Sequence, residues 1–335
     1  MEVLASSAVE WILEEYGVDA DAVERVDVRL RPGSRLYSVE LPAPGDVEAL
    51  ILDSPSAAEV ASRPEIVGAE FSRLCLDAAR DAVRALSGLL PRGRILILQI
   101  LRAGPGYLVH EAMREAGVPF SEAMMRITYL EEHGEKSPAV LFRSLPRLEG
   151  RVSVLIQDTV ATGGTIVKAL EELSSSLGDA RPGSLVVYGF MTAEGALRIS
   201  EEALALGFSG VVLLALQDFA PLAGNRFDMP LYGPDLSELR RGRFRRLGGV
   251  ASRETLERMI LEYAPGLDQP GDFSERQERL FDGRRWVRGD IEGHLRSALD
   301  SLELLATSGV LEPWQAAVVS RRMAGVRSAL RNALI

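Results

Sequence analysis

The chain of 335 residues contains one cysteine, two lysines and three histidines. A single cysteine, Cys75, excludes an intramolecular disulfide framework, and its place in the helical pattern Glu70–Leu76 marks it as a small buried hydrophobe. The histidines, His110, His133 and His294, have no metal-ligand spacing. No run of eighteen apolar residues is present, so no transmembrane helix is expected. The start, Met1-Glu2-Val3-Leu4-Ala5, lacks the basic residues of a signal peptide, and the expectation is a cytoplasmic protein. A net charge of −10 argues against a general nucleic-acid binder, which would carry a basic face. Arginine almost wholly displaces lysine, which survives only at Lys136 and Lys168.

Two motifs that would have named a nucleotide binder are missing. There is no Gly-Lys-Ser/Thr of a Walker A loop, and no Gly-x-Gly-x-x-Gly dinucleotide fingerprint. What is present is an apolar run, Val154-Leu155-Ile156, then Gln157 and Asp158, then Thr162-Gly163-Gly164-Thr165, then the helical pattern Ile166, Val167, Ala169, Leu170, Leu173. That order is strand, tight turn, helix. Glycines let backbone N–H groups approach a phosphate, the hydroxyls of Thr162 and Thr165 add donors, and a helix start offers unpaired N–H groups and partial positive charge. Asp158 falls at the carboxyl end of the strand, where open α/β sheets place ligand-binding groups. A second apolar run, Ile95–Ile100, leads into Leu101-Arg102-Ala103-Gly104-Pro105-Gly106. An arginine on a glycine-rich turn at a strand end is an anion clamp whose planar fork suits a diphosphate; the bland alternative is a local cap or salt bridge.

The first stretch resembles the phosphoribosyl-diphosphate (PRPP) loop of type I phosphoribosyltransferases. There the strand ends in two acids, followed by three residues and Thr-Gly-Gly-Thr/Ser. Asp158 matches the second acid, and Gln157 stands in place of the first. Ile100-Leu101-Arg102-Ala103-Gly104 is similar to the corresponding segment of uracil phosphoribosyltransferases, and the resemblance spans roughly residues 65–245. It implies that Ala161, Thr162, Gly163, Gly164 and Thr165 hold the 5′-phosphate, that Asp158, Thr159 and Gln157 face the ribose and its metal, and that Arg102, Ala103 and Gly104 take the pyrophosphate. Mg²⁺ would arrive with PRPP and bridge its oxygens, with no direct protein ligand expected. The segment Tyr129–Glu135 would be a flap, with Arg126 its nearest arginine and His133 its acid–base candidate. In that family a Pro-Gly-Leu-Gly-Asp-Ala-Gly-Asp-like loop reads the base by its backbone. Here Met229–Glu238 is set against that loop, with Tyr232, Gly233 and Asp235 as base contacts.

Periodicity predicts an α/β fold: a mainly parallel sheet with helices on both faces. Residues 1–45 read as a helix and β-hairpin appendage, 46–249 as the core, and 250–335 as a helical extension. The expected elements are a helix Ala8–Tyr16, a hairpin Glu24–Leu30 with Arg35–Leu41, and a long helix Pro64–Leu90. Strands follow at 94–100, 120–129, 152–157, 184–190 and 210–216, with helices at 107–116, 165–177 and 194–205. Four more helices are expected at Arg253–Tyr263, Ser274–Phe281, Gly289–Thr307 and Glu312–Leu334, the last two as an antiparallel pair. That extension could cap the core, cover the site or form a dimer interface, and a homodimer is favoured on its apolar stripe. The run Arg240–Arg246 reads as a solvated or salt-bridged loop, as an extra anion site, or as an RNA contact.

Three functions stay open. One is an enzyme that joins a nucleobase, uracil or a related base, to PRPP and releases pyrophosphate. Another is a non-catalytic PRPP or nucleotide sensor. The third is a transferase or lyase acting on a different phosphorylated sugar.

Overall fold

A computed structural model describes residues 2–90, 93–132 and 135–333. The chain begins with α1 (Glu2–Tyr16), β1 (Val18–Asp19), β2 (Val23–Val26), β3 (Arg35–Val39), β4 (Val47–Asp53), α2 (Pro55–Ser62) and α3 (Gly68–Ala85). Then come β5 (Arg94–Leu101), α4 (Val109–Glu115), β6 (Ser121–Glu132), β7 (Glu135–Ser144), β8 (Arg151–Gln157), α5 (Gly164–Ser175), β9 (Arg181–Thr192), α6 (Ala193–Ala205) and β10 (Val211–Ala220). Short elements follow: β11 (Gly233–Pro234), α7 (Leu236–Leu239), β12 (Arg246–Leu247), β13 (Gly249–Val250), α8 (Arg253–Met259), β14 (Leu280–Phe281) and β15 (Trp286–Val287). Two long helices end the chain, α9 (Ile291–Thr307) and α10 (Pro313–Ala333).

The main sheet runs β2-β3-β4-β10-β9-β8-β5-β6-β7. Strands β4, β10, β9, β8, β5 and β6 are parallel; β2, β3 and β7 add antiparallel edges. The fold is therefore mixed α/β with a mainly parallel sheet, as the periodicity predicts. The middle strands are covered on both faces, which is why β5 and β8 read as unbroken apolar runs and not as alternating ones. One face packs α1, α2, α3, α4 and α8 through residues such as Phe71, Leu74, Ala78, Tyr107 and Tyr188. The other packs α5 and α6 through Ile156, Ile166, Leu170, Leu173 and Ile199. A third cluster joins Leu295, Leu302 and Leu305 of α9 to Val319 and Val326 of α10, the expected helix pair.

Several expectations need correction. The helix set at Pro64–Leu90 starts at Gly68, whose φ is +64°, and ends at Ala85 before a 3₁₀ turn at Leu86–Gly88. The helix at Arg253–Tyr263 stops at Met259. Ser274–Phe281 is no helix. Gly289 N–H bonds Gln277 O there, and the Arg276 side chain is drawn inward onto backbone carbonyls, so the segment turns and enters the β14–β15 hairpin. The strand expected at 120–129 is β6, which runs on to Glu132 and pairs with β7; β4, α2 and β7 are not among the expected elements, and His133 of the expected flap lies outside the described residues. The strands assigned to the N-terminal appendage extend the central sheet, with β3 pairing β4 across the boundary expected at residue 45. No helix among the described residues is long and apolar enough to cross a membrane.

Candidate functional site

Strands β5 and β8 lie side by side, with Gln99 opposite Gln157 in register. From β5 the chain turns to β6 on one side; from β8 it turns to β9 on the other. The helices that follow lie on opposite faces, so the loops leaving these two carboxyl ends diverge and open a crevice, the usual ligand position in such sheets. Both phosphate-type motifs sit on those loops. They also touch: a Cβ on Gly104 would stand 2.7 Å from the Gln157 carbonyl oxygen, so the close approach requires glycine.

In the first loop, Asp158 is buried, and burial pushes its carboxyl up to about 7, with a hydrogen bond from the Thr159 backbone pulling the other way. The Thr159 hydroxyl lies 2.7 Å from that of Tyr107. The Thr192 hydroxyl donates to the Ala161 carbonyl at 2.6 Å, which ties the loop to the start of α6. Gly163 is the cap of α5 at φ +74° and lies against the Gly195 carbonyl, two reasons for glycine at one position. Ala161, Thr162 and Thr165 are half-buried beside it, over the unpaired N–H groups of the twelve-residue helix α5. Two further residues approach this turn. The hydroxyl of Tyr129, the first residue of the expected flap, reaches over Gly164 from β6, and Arg198 on α6 donates to the Thr162 carbonyl at 3.4 Å. Arg198 carries no sequence signal, because it arrives from another element.

In the second loop, Arg102 is partly exposed and forms an ion pair with Glu275. Ala103 and Gly104 pass into a 3₁₀ turn, Gly104–Tyr107, beneath it. Among the described residues no three His, Cys, Asp or Glu side chains gather as metal ligands. A Mg²⁺ carried by a diphosphate prefers oxygen donors and keeps much of its water; Asp158 on the first loop and Asp272 and Glu275 at the cavity are the carboxylates near this place. The donor chemistry thus fits such an ion.

Other predicted site residues fall elsewhere. Gln157 is fully buried and turned away from the crevice. Its Oε1 accepts the Val109 N–H at 2.8 Å, its Nε2 donates to Gln99, and His110 Nδ1 lies 3.3 Å away. It therefore leaves no polar atom to face a ribose. Arg126 donates to the Asp282 carbonyl at 2.7 Å, so it is held by the β14–β15 hairpin. Tyr232, Gly233 and Asp235 are buried and committed. The Tyr232 hydroxyl donates to Asp218 at 2.6 Å, Gly233 packs on Pro265 and Gly266, and Asp235 caps α7 and accepts the Gly224 N–H at 2.8 Å. The arginine run resolves into ion pairs: Arg241 and Arg243 with Glu238, Arg245 with Asp235, Arg246 with Glu15. His294 is buried against the Pro64 carbonyl, and burial lowers it to about 3. Cys75 is buried as expected, its thiol pushed up to about 12.

The segment that does reach the crevice is Gly271–Glu275. A cavity of about 250 Å³ is lined by Arg102, Ala103 and Thr159 on one side and Gly271, Asp272, Phe273, Ser274 and Glu275 on the other. Pro265-Gly266-Leu267 and Gly271-Asp272 keep the outline of the Pro-Gly-Leu…Gly-Asp base loop set against Met229–Glu238 above. Gly266 and Gly271 both have positive φ, +76° and +51°, so these glycines are required by the backbone. The residues first assigned to the base instead carry this loop. Leu231 N–H bonds Leu267 O at 2.9 Å, Gly266 N–H bonds Leu231 O at 2.8 Å, and Gln269 N–H bonds Met229 O at 3.0 Å. Asp218, buried and pushed up to about 7, accepts from both Tyr232 and the Gln269 side chain.

No family model and no curated protein matches the chain. Solved structures similar to part of it include the AQ2163 protein from Aquifex aeolicus, 20% identical over 52% of this chain and 85% of that one, with a TM-score of 0.38. A hypoxanthine phosphoribosyltransferase from Staphylococcus aureus is 12% identical over 45% and 77%, with a TM-score of 0.31. An adenine phosphoribosyl transferase from Trypanosoma brucei, in complex with AMP, pyrophosphate and ribose-5-phosphate, is 18% identical over 53% and 86%, with a TM-score of 0.32.

Proposed function

We propose that this protein is a phosphoribosyltransferase that joins a nucleobase, uracil or a related base, to PRPP and releases pyrophosphate. The observation that carries the reading is the meeting of two glycine-bearing loops at one sheet switch point, with the buried Asp158 on the first and Arg102 on the second. Residues Ala161–Thr165 cradle the 5′-phosphate on the N-terminus of α5. Asp158 and Thr159 face the ribose hydroxyls. Arg102, Ala103 and Gly104 take the diphosphate, whose charge Mg²⁺ neutralises when bound. The base enters the cavity at Gly271–Glu275, where backbone and short side chains offer hydrogen bonds to its edge.

The reaction breaks the bond from ribose C1′ to a diphosphate oxygen and forms a bond from C1′ to a ring nitrogen of the base. The nitrogen's proton leaves to solvent or to the pyrophosphate. Little covalent chemistry falls to the protein. Its task is to align the nitrogen behind C1′, to steady positive charge on the ribose and to hold the leaving group. Asp158, once ionised, is the negative group placed to do the second.

Two features would have favoured a sensor: a neutral Gln157 at the ribose and a base loop lacking its glycines. Gln157 points inward, and Pro265–Asp272 supplies a glycine-bearing loop at the cavity. Both supports for the sensor are thereby weakened. The experiment is to incubate the protein with PRPP, Mg²⁺ and a panel of bases that includes uracil. Pyrophosphate should appear with one base and vanish on Arg102→Ala. Thermal stabilisation by PRPP with no turnover on any base would favour the sensor, and no stabilisation would sink both readings.

A further inference from the structure

The diphosphate clamp is already filled from within. Glu275 pairs its Oε1 with Arg102 Nη2, while its Oε2 accepts the Asp290 N–H at 2.7 Å. The backbone beneath Glu275 is pinned. The next residue, Arg276, is fully buried and donates to the carbonyls of Val60, Arg63, Ile66 and Pro270 at 2.9 to 3.1 Å. Phe273, two residues before Glu275, stacks on Tyr107. The Glu275 side chain is 21% exposed and has room to turn. It lines the same 250 Å³ cavity as Arg102. A carboxylate on an arginine fork makes the same charge-assisted bonds that a phosphate oxygen makes.

We infer that Glu275 is a resident stand-in for the diphosphate, displaced from Arg102 when that ligand binds and then free to accept a hydrogen bond from an N–H of the base. The inference rests on the proposed assignment of Arg102 to the diphosphate and goes beyond it. One side chain, held by a fixed backbone, serves both subsites in turn. In the free protein it keeps the Arg102 fork oriented and neutralised. Once an anion with more charge takes the fork, Oε1 loses its cationic partner while Oε2 keeps the Asp290 N–H, and an N–H donor is the partner Oε1 then lacks. Binding is therefore ordered, diphosphate before base.

The test is calorimetric titration with inorganic pyrophosphate and Mg²⁺, followed by uracil with and without pyrophosphate. Glu275→Gln keeps the shape and the bond to the Asp290 N–H but removes the competing charge. Pyrophosphate should bind it on the order of tenfold more tightly than it binds the unaltered protein, and Glu275→Asp, whose carboxylate is withdrawn by one methylene, should fall between. Uracil should bind the unaltered protein only after pyrophosphate and should bind Glu275→Gln weakly in either case. Equal or weaker pyrophosphate binding by Glu275→Gln, with only its melting temperature lowered, means that the pair is structural and overturns the inference. In that event pyrophosphate binding that is lost on Arg102→Ala leaves the Arg102 assignment standing. If pyrophosphate binds none of these proteins, the inference and the assignment fall together.

Discussion

The rings of Tyr107 and Phe273 lie 4.0 Å apart and within 10° of parallel. Tyr107 ends the turn below Arg102, and Phe273 belongs to the segment that walls the cavity. The stack therefore sets the spacing between the two sides of the crevice. Phe273 also meets Phe71 edge-on at 4.9 Å, inside the main core. Phe273→Ala removes a fully packed ring and should lower stability by about 3–5 kcal/mol, read from denaturant midpoints. Because the freed segment carries the wall proposed to meet the base, KM for the base should rise more than KM for PRPP. An equal rise in both would separate the stack from base binding.

Gln157 commits its side chain to the fold: Oε1 accepts the Val109 N–H and Nε2 donates to Gln99. Replacing Gln157 with Asp shortens the side chain, removes the donor to Gln99 and places a carboxylate in a buried site beside His110. Stability should drop by about 1–3 kcal/mol, the cost of unpaired buried polar groups. PRPP affinity should stay within twofold, as judged by titration at a temperature where both proteins are folded. A clear gain in affinity would show that position 157 does reach the ribose.

Much of this architecture is legible in the residues. Apolar runs ending at Leu101 and Gln157, each followed by a glycine turn, fix two adjacent parallel strands and the loops that leave them. Both motifs meet because the chain reverses its direction of travel across the sheet between them, which local pattern implies but does not locate. Residues 229–236 are buried away from the cavity, whereas Gly271–Glu275 line it; Pro265-Gly266-Leu267 is separated from Gly271-Asp272 by Asp268-Gln269-Pro270 and lies beyond the span of the resemblance. The hydrogen bonds between 229–231 and 266–269 are long-range pairings that no periodicity encodes. Ser274–Phe281 misled for a similar reason. Its spacing suits a helix, but a buried arginine bonding four carbonyls outweighs that propensity.

Asp158 should make both stability and ligand binding depend on pH. Its carboxyl titrates near 7 in the folded protein against 3.8 ordinarily, so the folded chain holds a proton that the unfolded chain has lost. The stabilisation from the neutral acid is complete below about pH 4 and disappears as pH rises through 7. Asp158→Asn stays neutral throughout. The melting temperature of the variant minus that of the unaltered protein should therefore grow between pH 5 and pH 8. Ribose hydroxyls and Mg²⁺ favour the ionised form, so PRPP–Mg²⁺ should release protons at pH 6.5, seen as a buffer-dependent heat of binding. A flat difference in melting temperature with no proton release would remove Asp158 from the site.

Gly164 and Tyr129 give a test of the phosphate loop itself. A methyl on Gly164 would stand 2.7 Å from the Tyr129 hydroxyl and beside Thr162 Oγ1. Tyr129 is 43% exposed, so its ring can swing aside, and the fold should lose no more than about 0.5 kcal/mol. The binding surface fares worse, because the methyl intrudes beside the first N–H groups of α5. Affinity for ribose 5-phosphate should fall on the order of tenfold in Gly164→Ala, a change of about 1.4 kcal/mol. Tyr129→Phe removes the oxygen that the methyl meets. In a double-mutant cycle it should recover part of the loss, since contacting residues are not additive. Unchanged ribose 5-phosphate binding by Gly164→Ala would place the phosphate away from this helix start.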